Sequence, residues 1–134
     1  MNICTYVAGA SMEPKRMTVA IYKGTKTLEL AQKEKSFVLQ LLSNKQINLV
    51  KTLGFKTGYE YDKIGYLEKK GMIKEWMTFK ILKDALAYIH LHQIEVLDAG
   101  DHILFLCDVV GFNNNLDAKE LTLNQLRLKK IIRG

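Results

Sequence analysis

The stretch Lys23-Gly24-Thr25-Lys26-Thr27 holds the residue types that seat an anion. A helix starting there offers unpaired backbone N–H groups and the positive end of its dipole. Gly24 allows the backbone to come close, Thr25 and Thr27 bring hydroxyl donors, and Lys23 and Lys26 bring charge. Those are the components of a phosphate cradle. A plainer reading stays open, in which Thr25 only caps a helix and the lysines are solvated. His102 stands out for its place: it follows Asp98-Ala99-Gly100-Asp101 at the tip of an expected hairpin. Loops carried by a rigid sheet commonly hold function. An ordinary turn residue is the alternative.

Other residues lead less far. His90 and His92, two apart on one strand face, could present two imidazoles to a metal, yet no third or fourth ligand lies nearby. Core or interface histidines are expected instead, and no metal site. Neither a Gly-x-Ser-x-Gly elbow nor a local Cys–His signature supports nucleophilic catalysis. Gly54-Phe55-Lys56-Thr57-Gly58 is too short and too poorly placed for a P-loop.

These residues must be positioned by elements the sequence outlines. Residues 2–9 and 17–22 read as strands, separated by the turn-forming Ser11-Met12-Glu13-Pro14. From Thr25 to Lys35 the spacing of Leu28, Ala31 and Gln32 is helical, with Thr25 as N-cap. Ser36 to Leu42 is a short apolar strand. Gln46 to Leu53 gives a second helix, with Gly54 suited to the left-handed position after its end. Residues 56–78 carry no readable period.

The clearest pattern spans Ala85–Leu97 and His102–Phe112, two strands forming an antiparallel hairpin. Strict alternation puts Leu86, Tyr88, His90, His92, Ile94 and Val96 on one face. Neither strand has a fully polar face, so both sides must be partly covered, by barrel closure or by another subunit. The tail, Leu121 to Ile132, reads as a short helix or an extended arm. The expected fold class is α+β, mainly β, built on a small antiparallel barrel with short helices between strands.

Length and composition bound the rest. The chain has 134 residues, 48% hydrophobic and 25% charged, so residues 1–134 are expected to form one globular domain. No window is apolar enough to span a membrane, and the start lacks the order of a signal peptide. Two cysteines, Cys4 and Cys107, make no disulfide framework, which fits reduced thiols in the cytoplasm. A net charge of +6 suits nucleic acid, an anionic membrane face, a phosphorylated small molecule or plain solvation. The basic residues are scattered, and no strand alternates basic with aromatic residues. Single-stranded nucleic acid is thus the weaker partner.

From Asn2 to Phe112 the chain resembles the flavin reductase-like, FMN-binding split-barrel family, which includes flavoredoxins and reductase components of two-component monooxygenases. The matching segments come in the family's order. Asn2-Ile-Cys-Thr5-Tyr6 and Ser11-Met-Glu-Pro14 resemble its opening strand and Ser-x-x-Pro turn. Lys23-Gly-Thr25-Lys-Thr27 resembles its basic residue, hydroxyl residue and threonine before a helix. Phe37-Val-Leu-Gln40-Leu resembles its Phe-Val-Val-Asn strand, with glutamine in place of asparagine. Gly54-Phe-Lys-Thr-Gly58 with Asp62-Lys63 resembles its Gly-x-x-Ser-Gly and Asp-Lys-Phe segment, and Ala99-Gly-Asp101-His102 its Ala-Gly-Asp-His hairpin.

The resemblance implies a homodimer holding one flavin near the subunit interface, FMN with FAD as the alternative, and NADH or NADPH as reductant. It implies cofactor contacts from Thr5, Tyr6, Ser11, Lys23, Gly24, Thr25, Lys26, Thr27, Gln40 and Lys63. Thr5 and Tyr6 fall near the flavin ring, Thr25 to Thr27 near the phosphate, and His102 near the face that receives a nicotinamide. A downstream monooxygenase or other electron acceptor is the implied partner. Members carry a further strand before the segment that here begins at Met1, so a barrel short of one stave is expected. The competing expectation is a non-catalytic basic β-barrel that binds nucleic acid or stores flavin.

Overall fold

Alternating side chains build the central sheet. In the computed structural model, which describes residues 1–132, β2 (Arg16–Tyr22) turns Val19 and Ile21 into a core and leaves Tyr22 exposed. β1 (Val7–Ser11) pairs with β2, and β2 pairs with β7 (His102–Asn114). β7 then pairs with β6 (Ala87–Asp98), and β6 with β3 (Ser36–Leu41). The order β1-β2-β7-β6-β3 is antiparallel throughout and leaves β1 and β3 with free edges among the described residues. This is a split barrel of the α+β, mainly β class expected from the sequence. A separate hairpin joins β4 (Ile73–Trp76) to β5 (Phe79–Leu82).

One core lies where α1 (Lys26–Glu34) docks Leu28 and Ala31 against Val19, Ile21, Leu91, Phe105 and Cys107. Alternation explains the partition, since every strand member of that list is odd-numbered. The second core takes the other face of β6 through Tyr88. It packs Tyr88 with Leu49 and Leu53 of α2 (Leu49–Phe55), Leu67 of α3 (Lys63–Lys69), and Ile81 and Leu82. The tail contributes a short helix, α4 (Leu123–Leu128), with Leu126 buried.

Four expectations need correction. The first strand begins at Val7 rather than residue 2. The Cys4 thiol donates to the Ala20 carbonyl at 3.1 Å, occupying the acceptor that would extend the ladder. Gly54 lies inside α2, not beyond its end. Tertiary burial of Leu49, Val50 and Leu53 carries that helix past a glycine, and a Cβ there would rest 3.5 Å from Ile3. The helix also starts at Leu49 rather than Gln46, which closes a 3-10 turn over Asn44–Gln46. Finally, strict alternation fails along β6. Register shifts occur between His90 and Leu91, where Val110 of β7 is the extra residue, and between Gln93 and Glu95, where Ile94 of β6 is. A bulge adds one unpaired residue, and every side chain beyond it changes face.

Candidate functional site

The β2–α1 corner and the β6–β7 tip form one structural unit. Tyr22 is paired with His102, and the Lys23 N–H donates to the Asp101 carbonyl at 2.9 Å. The Lys23 ammonium reaches both Asp98 carboxylate oxygens at 2.8 Å. That pairing, with the Gly100 N–H, holds the Asp98 carboxyl below its usual range. Gly100 has φ +88°, the left-handed conformation that lets the chain reverse tightly here. Sequence reading placed residues 23–27 and His102 in separate motifs. Strand register brings them together.

At the start of α1 the hydroxyl of Thr25 has its proton committed to the backbone. It accepts from the Leu28 N–H at 3.2 Å and donates to the Tyr22 carbonyl at 2.9 Å. The first helical N–H groups, those of Lys26 and Thr27, have no acceptor four residues back within the helix. Gly58 packs against this corner, where an added Cβ would meet Lys26 Cβ at 3.4 Å. The Tyr59 hydroxyl reinforces the contact by donating to Glu29 at 3.0 Å. Thus the Lys23–Thr27 and Gly54–Gly58 segments meet in space.

A cavity of about 800 Å³ opens beside this corner. Its walls include the N-terminal segment, both faces of β2, α1, β3 and the tail. Of the residues singled out in the sequence, Thr5, Tyr6, Thr27, Gln40 and His102 line it. Ser11, Lys23, Gly24, Thr25, Lys26 and Lys63 stand outside its wall. Gln40 Oε1 is engaged by the Leu82 N–H at 2.7 Å, which ties β3 to β5. Ser11 sits at the end of β1, where pairing shifts register.

Three rings gather at the rim. Tyr6 and Tyr22 each meet His102 edge to face, with centroids 5.1 and 5.2 Å away. Both tyrosines are exposed. Tyr22 was missed in the sequence, where it reads only as the last residue of a strand. Its position next to Lys23 was the available signal, but its pairing with His102 needed the fold.

Lys63 is buried at 6% exposure, and its ammonium donates to the Leu53 carbonyl at 2.6 Å. That carbonyl belongs to the last turn of α2, where the helix dipole is negative and favours a cation. Burial still pushes the Lys63 pKa down. His90 has both ring nitrogens buried without partners, and burial, then His92, lowers its pKa. The His92 ring instead shares a hydrogen bond with Ser36 at 3.1 Å. Among the described residues no group of three or more His, Cys, Asp or Glu side chains is placed to hold a metal. No helix among them is long and apolar enough to cross a membrane.

The family model described as "Flavin reductase like domain" matches residues 2–131, and the chain belongs to that family. Its fold is similar to that of an FMN-binding protein from Thermus thermophilus, whose structure contains bound 1-cyclohex-2-enone. The two chains are 29% identical at a TM-score of 0.73, and the match covers 84% of this chain and 61% of that one. The flavin reductase PheA2 in its native state is 26% identical at a TM-score of 0.69, with 86% and 69% covered. A flavoredoxin from Methanosarcina acetivorans shares the fold at 15% identity and a TM-score of 0.74, with 88% and 64% covered. The chain therefore spans under two thirds of the Thermus protein's length. No curated protein matches it.

Proposed function

We propose that this protein binds FMN and acts as an NAD(P)H-dependent flavin reductase or a flavoredoxin-like electron-transfer protein. Family membership supports a flavin. The observation that carries the site is the cavity lined by Thr5, Tyr6, Tyr22, Thr27 and His102, with the three rings in contact at one end of it. Their chemistry fits the cofactor: a planar ring finds exposed aromatic faces, and a phosphate finds free helical N–H groups. When bound, the flavin supplies the hydride and electron chemistry.

The chain's own residues bind and orient. In this reading the N–H groups of Lys26 and Thr27, the Thr27 hydroxyl and the Lys26 ammonium hold the phosphate. Thr25 and Lys23 act behind them, Thr25 by capping α1 and Lys23 by anchoring the hairpin tip. Thr5 and Tyr6 face the flavin ring, and His102 serves the side where a nicotinamide approaches. Lys63 and Gln40 support the site from behind, through Leu53 and Leu82. Ser11 and Gly24 shape the turns that bound it.

A homodimer is part of the proposal, supported by Val110 and Phe112, which are 54% and 63% exposed on β7. A monooxygenase component or another acceptor would take the electrons, and FAD is the alternative flavin. Titrating the protein into FMN should quench flavin fluorescence, and adding NADH or NADPH should give steady oxidation at 340 nm (roughly 1–10³ turnovers per second is ordinary). Unquenched flavin would reject the cofactor. Quenching without turnover would leave only a carrier.

A further inference from the structure

His102 Nδ1 lies 2.7 Å from an Asp101 carboxylate oxygen. The imidazole is mostly covered, at 18% side-chain exposure, whereas Asp101 is 73% exposed. Tyr6 and Tyr22 fix the ring from its sides. Asp101 is itself fixed, because its carbonyl accepts the Lys23 N–H and the adjoining turn closes through Ala99 N–H to the His102 carbonyl at 3.0 Å. Among the described residues Nε2 has no hydrogen-bond partner, and it is not sealed in the interior.

From this geometry we propose that Asp101 is a positioning residue that keeps the proton of neutral His102 on Nδ1. A carboxylate accepts and cannot donate, so the imidazole nitrogen facing it must carry hydrogen. On a ring that lines the cavity, the unengaged Nε2 is then a lone pair when the ring is neutral and a donor when it is charged. The group it addresses is a polar edge of a planar heterocycle lying beside Tyr6 and Tyr22. This last step rests on the flavin reading above; the tautomer does not.

The titratable groups against the ring are Asp101, Tyr6 and Tyr22. The hydrogen bond from His102 is the main cause of a lowered Asp101 pKa, which keeps the carboxylate charged as an acceptor. The arrangement resembles, in its physics, a metal or triad histidine whose second nitrogen is fixed by a carboxylate.

Nitrogen-15 NMR of histidine-labelled, flavin-free protein at about pH 8, where an ordinary imidazole is neutral, reads the tautomer directly. The wild type should show His102 mainly protonated on Nδ1. Asp101→Ala should shift the tautomer ratio toward Nε2–H by roughly three- to tenfold, the worth of one modest hydrogen bond. Asp98→Ala loosens the same tip without touching the ring, and should leave the ratio unchanged. A wild type protonated mainly on Nε2, an unmoved ratio in Asp101→Ala, or an equal shift in Asp98→Ala would each overturn the assignment. FMN titration of the same samples tests the cofactor separately.

Discussion

Lys23 and Asp98 are joined by a two-pronged ion pair, with Nζ 2.8 Å from each carboxylate oxygen. The pair spans 75 residues of sequence and locks the corner before α1 to the tip of the long hairpin. It also commits the Lys23 charge, so the two lysines of the Lys23–Thr27 segment are not equivalent. Lys26→Ala should weaken FMN binding by about tenfold, the loss of one charge-assisted contact to phosphate. Lys23→Ala should weaken it less, by roughly two- to threefold through a looser tip. Fluorescence titration at fixed salt compares them. Equal losses would put both ammonium groups on the phosphate.

Thr25 and Thr27 should separate in the same manner. Removing the Thr25 hydroxyl deletes an N-cap and should lower stability by about 1 kcal/mol, with melting roughly 3–5 °C lower. Flavin affinity should change little, because that hydroxyl already donates to Tyr22 and accepts from Leu28. Thr27→Ala should leave melting nearly unchanged and weaken FMN. Calorimetry with a binding titration on both variants checks the crossover.

Gly65 has a steric duty. A Cβ there would overlap Asp62 Oδ2, while Oδ1 of the same carboxylate accepts the Gly65 N–H at 2.9 Å and caps α3. Gly65→Ala should push that carboxylate out and destabilise the fold by about 1 kcal/mol. Urea unfolding should show a lower midpoint with an unchanged slope.

Cys107 predicts an alkaline weakness. Burial, then the charge of Asp108, raises its thiol pKa from 9.0 to about 11. An acid whose folded pKa is raised contributes full stability below its unfolded value, and that contribution falls as pH climbs toward the folded value. Stability should therefore decline between pH 9 and 11, with roughly 2–3 kcal/mol as the ceiling for this thiol. Cys107→Ala should be less stable at neutral pH but lose less across that window. Urea midpoints at several pH values would show it. Lysines and tyrosines titrate in both proteins, so the comparison isolates the thiol.

Local chemistry explains what could be read ahead of the structure. The cap at Thr25, the alternation of β2 and the long β6–β7 hairpin each declare themselves within a few residues, and all are present. The β4–β5 hairpin and α3 were not legible, because Leu67, Ile81 and Leu82 find their partners on Tyr88 and Leu53, distant in sequence. Lys63 shows the same limit. As the first residue of a helix it would ordinarily face solvent, and only the approach of α2 supplies the carbonyl that draws it inside. At the site, Thr5, Tyr6, Thr27, Gln40 and His102 were readable as candidates and do line one cavity. The pairing of Tyr22 with His102, and the engagement of Lys23 by Asp98, depended on cross-strand register that bulges make unpredictable.

The irregular pairing at Gly9 and Ser11 bears on how the molecule avoids its own kind. An unpaired strand margin is a template for fibre growth, yet β1 is only five residues long and its rhythm breaks after the third. A copy trying to extend the ladder would lose alignment within about two residue pairs. Straightening that kink should make the margin more prone to stacking.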